Sequence, residues 1–122
     1  MNIGQFYRKA VAAGIAADMR GKTEMNRLLA EAAEELKGAG KDEKKYFDRD
    51  RLFNPYADSR LLFGDSETEV RRILVGIDID GGELHLAHTL NREEPDKKID
   101  LVLGHHPMGP ALYQMFDVMR LQ

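Results

Sequence analysis

Two adjacent histidines, His105 and His106, stand in the run KKIDLVLGHHPMG near the C-terminal end of a chain that has only four histidines. Neutral imidazole is the commonest nitrogen ligand for Zn, Fe, Ni and Cu, so the doublet's first chemical meaning is metal coordination. Successive residues of a regular strand point to opposite faces, which would keep the two rings from converging on one ion. Gly104 before the pair and Pro107 after it place the doublet in a loop instead, the proline biasing His106 toward extended backbone. Both rings can then face one crevice, and two rings splayed from one loop suit two neighbouring ions, one histidine each, about as well as a single ion. A hydrogen-bonded strand terminus would use the same residues without any metal, and the pattern alone does not choose between the two.

Other candidates for the same chemistry are few. Asp78 and Asp80 close the earlier apolar run ILVGIDID and would offset a metal's positive charge, although an aspartate after a buried strand also serves as the cap of the helix that follows. His85 and His88, in HLAH, lie on the flank of the predicted helix away from Leu84, Leu86, Ala87 and Leu90, which reads as a solvated face. With no cysteine in the chain, disulfides and thiolate metal sites are excluded, and any metal must be held by nitrogen and oxygen. There is no Walker phosphate loop, G-x-G-x-x-G, nucleophile elbow or HExxH.

The elements that position these residues follow from apolar periodicity. ILVGIDI, from residue 73, is apolar on both alternating faces, as expected for a strand covered on two sides. GELHLAHTLNREE fits one helix ended by Pro95 and Asp96, and IDLVL, residues 99–103, is a second buried strand. Strand, helix and strand at this spacing make a βαβ unit with parallel strands. Its carboxyl edge, where ligands bind in open α/β sheets, carries Asp78, Asp80, His105 and His106.

Upstream, Phe6, Ala10 and Ala13 predict a short amphipathic helix from Ile3 to about Ala13, before Gly14 and a break at Asp18, Arg20 and Gly21. Thr23 can cap a second helix carrying Met25, Leu28, Leu29, Ala32 and Leu36, stopped by Gly38 and Gly40. KDEKKYFDRDR, residues 41–51, reads as a solvated charged face pinned by Tyr46 and Phe47. Asn54-Pro55-Tyr56 reads as a turn and SRLLFGD, residues 59–65, as a short extended piece. In the tail, Leu112, Met115, Phe116 and Met119 form one helical stripe.

The fold class is therefore α/β: N-terminal helices over residues 1–53, then a βαβ unit of a mixed or parallel sheet within residues 54–122. At 122 residues the chain is the size of one ordinary domain. A formal net charge of −3 gives no electrostatic case for nucleic acid or an anionic membrane. No apolar run reaches the length of about 20 residues that crosses a bilayer, and the N-terminus lacks signal-peptide order, so the expected location is cytoplasmic.

The stretch EVRRILVGIDIDGGELHLAHTLNREEPDKKIDLVLGHHPMG resembles the opening domain of the Nif-three-like family, the homologues of the Ngg-one-interacting factor, also described as GTP cyclohydrolase I type 2 homologues. The shared pattern is a strand ending in aspartate, a helix, and a second strand running into His-His-Pro, with LLFGDSETEV, residues 61–70, similar to the Gly-Asp segment before the first strand. The resemblance covers about residues 54–122, and the N-terminal helices look like an extension found in one branch of the family. It implies an α/β fold with a dinuclear divalent-metal site, the ions being Zn, Fe or Mn, in which His105 and His106 supply two ligands. Family members are at least twice as long, and their remaining ligands, an aspartate, a histidine and a glutamate, would lie beyond Gln122. The expectation is thus the first part of such a site, in a shortened chain, a split gene product, or a piece that pairs with another chain.

Three functions follow from that resemblance. One is a metal-dependent hydrolase acting on a nucleotide or another small phosphate- or ring-containing substrate. The second is a non-enzymatic, homo-oligomeric metal-binding or protein-interaction module. The third, expected of this chain in isolation, is weak metal binding without activity, because two histidines leave most of the coordination sphere to water.

Overall fold

The computed structural model describes residues 1–113 and 115–119. Its architecture is mixed helix and strand. Helices α1 (Ile3–Ala17), α2 (Gly21–Gly38) and α3 (Lys41–Tyr46) come first, followed by a 3-10 turn at Arg49–Leu52. Strand β1 (Ile73–Gly76), helix α4 (Gly81–Glu93), strand β2 (Leu101–Gly104) and the short helices α5 (Pro110–Tyr113) and α6 (Met115–Met119) complete the order.

α1 starts where Asn2 caps it, its side chain accepting the Gln5 N–H at 2.8 Å while the Gln5 side chain accepts the Asn2 N–H at 3.2 Å. The helix runs through Gly14 rather than stopping there. A Cβ on Gly14 would lie 3.2 Å from the Tyr56 ring, so the glycine makes room for a neighbour instead of ending a helix. α2 begins at Gly21, two residues before the expected cap Thr23. Gly21 has a positive φ of 82°, and Asp18 accepts the Arg20 N–H at 2.9 Å just upstream, so the chain reverses on Asp18 and Gly21 and leaves Thr23 within the helix. The stop at Gly38 is as expected, with the Ala39 N–H bonded to Glu35 O at 2.9 Å.

The helices share a small core with the segment that follows them. Ile3, Val11, Met25, Ala32 and Ala57 are buried, and so is Asn54, which is 0% exposed. Its burial is tolerated because every polar atom is used: the amide donates to Tyr7 Oη at 2.8 Å and Ser59 O at 2.6 Å, and its oxygen accepts the Tyr56 N–H at 2.9 Å. The Tyr7 hydroxyl donates in turn to Asp50 at 3.0 Å, and burial first of all pushes its pKa up to about 12. Residues 59–65 form no strand, and Phe63 is almost fully exposed. In the charged segment Tyr46 is also exposed, so Phe47, partly buried beneath the Arg51 guanidinium, is its aromatic anchor. The N-terminus is tied to residues 66–70 by an Asn2–Glu69 bridge and by the Met1 ammonium on Glu69 at 2.9 Å. Hydrogen bonds therefore cross position 53/54 from α1 on both sides of the core.

β1 and β2 pair in parallel with Ile73, Leu74, Val75 and Gly76 opposite Leu101, Val102, Leu103 and Gly104. Asp100 fixes the start of this register by accepting the Arg71 and Arg72 N–H groups at 2.9 and 3.2 Å, and the first of these bonds holds its carboxyl below the usual range. The crossover is closed by Asn91, whose side chain clamps both the N–H and the C=O of Ile99. The two-sided cover expected for the strands is not observed. Val75 and Ile77 remain 65% and 64% exposed, and Leu103 beside Val75 is also exposed, whereas Leu74 and Val102 on the other face are partly buried. Two strands and one crossover helix give the described residues enough material to shelter one face, not both. The apolar stripe of the tail is likewise open at Leu112, Phe116 and Met119. No helix among the described residues is long and apolar enough to cross a membrane.

Candidate functional site

The register that pairs Gly76 with Gly104 decides what meets at the carboxyl edge. Two residues beyond each glycine stand Asp78 and His106, both in the bends that end the strands, and these bends bring the two side chains together. The backbone continues the match past the strands. His105 N–H is shared between Gly76 O at 2.9 Å and Ile77 O at 3.1 Å, and His106 N–H bonds Ile77 O at 2.8 Å. Above the glycine pair Ile79 folds back, and a Cβ on Gly76 would lie 2.8 Å from its Cδ1, a Cβ on Gly104 3.3 Å from its Cγ1. Glycine is needed at Gly76, where another side chain passes through the place of a methyl group, while at Gly104 the same side chain leaves a tight but tolerable space.

The outcome is a compact polar edge. The rings of His105 and His106 lie with centroids 5.1 Å apart and planes tilted by 35°, so they stand side by side in the loop as the flanking Gly and Pro suggested. His106 Nδ1 is 2.8 Å from Asp78 Oδ1. Both side chains of that pair are open to solvent, at 54% for His106 and 79% for Asp78.

The remaining candidates are not brought in. Asp80 is the N-cap of α4: its carboxylate accepts the Gly82 N–H at 2.7 Å, and its own N–H donates to Glu83 at 3.0 Å. The bond from Gly82 foremost holds its carboxyl below the usual range. The capping role foreseen for such an aspartate thus belongs to Asp80, while Asp78 faces His106. His85 and His88 lie exposed along α4, in agreement with a solvated flank. Sequence reasoning missed the pairing of Asp78 with His106. The signal was there in the two strand ends GID and GHH, but it becomes visible only once the glycines are aligned in parallel register.

As a donor set for divalent metal, this edge fits in part. Two imidazoles, one already engaged at Nδ1 by a carboxylate, are suitable nitrogen donors. Among the described residues no three His, Asp or Glu side chains gather as a metal-holding group. A separate wide groove of about 1360 Å³ runs between α2, the 40s segment and Phe116. Six of the charges on its walls are matched, Arg27 with Glu31, Arg51 with Glu35 and Arg60 with Asp48, and Glu43 accepts the Gly40 N–H. Comparison with protein-family models, with curated proteins and with solved structures finds no match to this chain.

Proposed function

We propose that this chain contributes His105 and His106 as nitrogen donors to a dinuclear divalent-metal site, in a protein of the Nif-three-like kind. The observation that supports this reading is the pair of exposed imidazoles held side by side at the carboxyl edge of a parallel strand pair, one of them hydrogen-bonded at Nδ1 by Asp78. Zn, Fe or Mn would be held by these two residues together with donors from water or from other protein segments. When bound, such ions supply Lewis acidity for hydrolysis. The chain's own residues hold the two rings at the edge and keep Nδ1 of His106 occupied. A metal-dependent hydrolase acting on a nucleotide or similar small molecule, GTP cyclohydrolase I type 2-like, is the reading for the complete site. Metal binding by these residues alone is expected to be weak, because the described residues bring two imidazoles together without a third ligand.

Equilibrium dialysis with Zn²⁺ and Mn²⁺ tests the binding step. The expected result is metal uptake by the wild type that falls in His105→Ala and in His106→Ala and is unchanged in His85→Ala. Uptake that ignores both doublet substitutions would overturn the proposal.

A second reading, a non-enzymatic homo-oligomeric module, draws on the exposed apolar face at Val75, Ile77 and Leu103. Light scattering together with a nucleotide-hydrolysis panel in added metal separates the two. Concentration-dependent assembly that is lost in Val75→Asp, without turnover, would favour the module.

A further inference from the structure

We infer that Asp78 is a positioning residue, which fixes the tautomer and direction of His106 so that Nε2 is the ring nitrogen left free to ligate. The inference takes its purpose from the metal-binding reading above, but its geometry stands by itself. An ionised carboxylate only accepts hydrogen bonds. At 2.8 Å from Asp78 Oδ1, His106 Nδ1 must therefore carry the proton when the ring is neutral, and Nε2 holds the bare lone pair.

Contact between two exposed side chains would mean little if each were free to swing away. Here both backbones are held. His105 and His106 N–H groups bond the carbonyls of Gly76 and Ile77, immediately before Asp78. On the far side of Asp78, Ile79 packs back over the glycine pair and Asp80 begins α4 as its N-cap. Asp78 is thus flanked on both sides by anchored residues, and the bonds from His105 and His106 to Gly76 and Ile77 hold the two bends side by side.

The division of labour between the two aspartates follows from this. Asp80 is consumed by the helix, its carboxylate taken by the Gly82 N–H. Among the described residues the Asp78 carboxylate is bonded to the imidazole and not to the helix. A carboxylate behind a ligating histidine orients the ring and raises its basicity, and loss of such a partner costs about 10–100-fold in metal affinity. His105 has no such carboxylate hydrogen bond among the described residues, so the two histidines are unequal donors and His106 is the better prepared.

The test is nitrogen-15 NMR of the imidazoles in the metal-free chain at about pH 8, where an ordinary histidine is neutral. The wild type is expected to show His106 as the Nδ1–H tautomer, and Asp78→Ala to reduce that share, with His85 and His88 unchanged. Asp78→Asn, which keeps size and an acceptor oxygen but not the charge, is expected to retain more of the Nδ1–H form than Asp78→Ala. A predominantly Nε2–H His106 in the wild type, or spectra alike in the wild type and Asp78→Ala, overturns the inference. Zn²⁺ titration of the same proteins supplies the second readout, with Asp78→Ala expected to weaken binding about 10–100-fold. Equal affinity in the two would also overturn the assigned role. A wild type that shows the Nδ1–H tautomer yet takes up no Zn²⁺ would refute the metal reading while leaving the placement of His106 by Asp78 intact.

Discussion

An added methyl group at Gly76 would sit 2.8 Å from Ile79 Cδ1 and 3.0 Å from the Asp78 carbonyl oxygen. Carbon atoms pack best at about 3.5–4.0 Å, so both contacts are repulsive. The first is relieved only in part by turning the tip of a flexible side chain, which gives up its packing over the glycine pair. The second is not, because the carbonyl belongs to the backbone that carries Asp78. Overpacking of this kind costs about 1–3 kcal/mol, against a gain of about 0.4–1 kcal/mol from the lost freedom of glycine in the unfolded chain. Gly76→Ala is therefore expected to destabilise by about 1–2 kcal/mol net. At Gly104 the corresponding contacts are 3.3 Å to Ile79 Cγ1 and 3.4 Å to His106 O. Gly104→Ala should then fall within about 0.5 kcal/mol of the wild type. Because Cδ1 is the atom that clashes, Ile79→Val should cost about 1 kcal/mol alone and less in the Gly76→Ala background, a coupling of about 1 kcal/mol. Urea denaturation of these four variants beside the wild type, followed by circular dichroism, measures each of these quantities. A Gly76→Ala protein as stable as the wild type, or strict additivity with Ile79→Val, would refute the packing of Ile79 over the glycine pair.

Asn54→Ala should cost about 3 kcal/mol, since it removes three hydrogen bonds and leaves the Tyr56 N–H without its partner; a urea midpoint close to that of the wild type would contradict it. Asp80→Ala should lower stability by about 1 kcal/mol through the lost cap while leaving Zn²⁺ uptake unchanged, and a loss of uptake would place Asp80 in the site. The carboxyls of Asp18, Asp80 and Asp100 lie below the ordinary range, that of Asp18 chiefly through the Arg20 guanidinium. Depressed folded-state values mean stability that is complete above the ordinary carboxylate pKa of about 4 and is lost as pH falls through the folded values. The urea midpoint should accordingly drop below about pH 4, and a midpoint that holds at about pH 3 would count against these bonds.

How much of this was legible beforehand depended on whether one segment or two carried the information. The βαβ order was readable because two apolar runs flank a helical pattern, and the stop of α2 because glycines follow its last apolar residue. α1 passes Gly14 because of Tyr56, a residue 42 positions later in the chain, and no local rule contains that contact. Asn54 reads as a turn residue, and its burial follows from Tyr7, again a distant partner. The apolar runs at Val75, Ile77 and Leu103 say that both faces favour cover, which is a statement about affinity for apolar surroundings and not about what the described residues supply. At the candidate site the doublet itself was visible, and so was the loop that frees it. The pairing of Asp78 with His106 required the register, which the Asp100 side chain starts and the strand backbones carry through, and no single segment contains both partners.

Residue-resolved NMR with Co²⁺ as probe tests the central claim most directly, because a paramagnetic ion broadens the resonances of the groups nearest to it. The account predicts broadening that begins at His105 and His106, reaches Asp78, leaves His85 and His88 sharp, and disappears in the His105→Ala, His106→Ala double variant. Broadening that starts on α4, or that survives loss of the doublet, would contradict it.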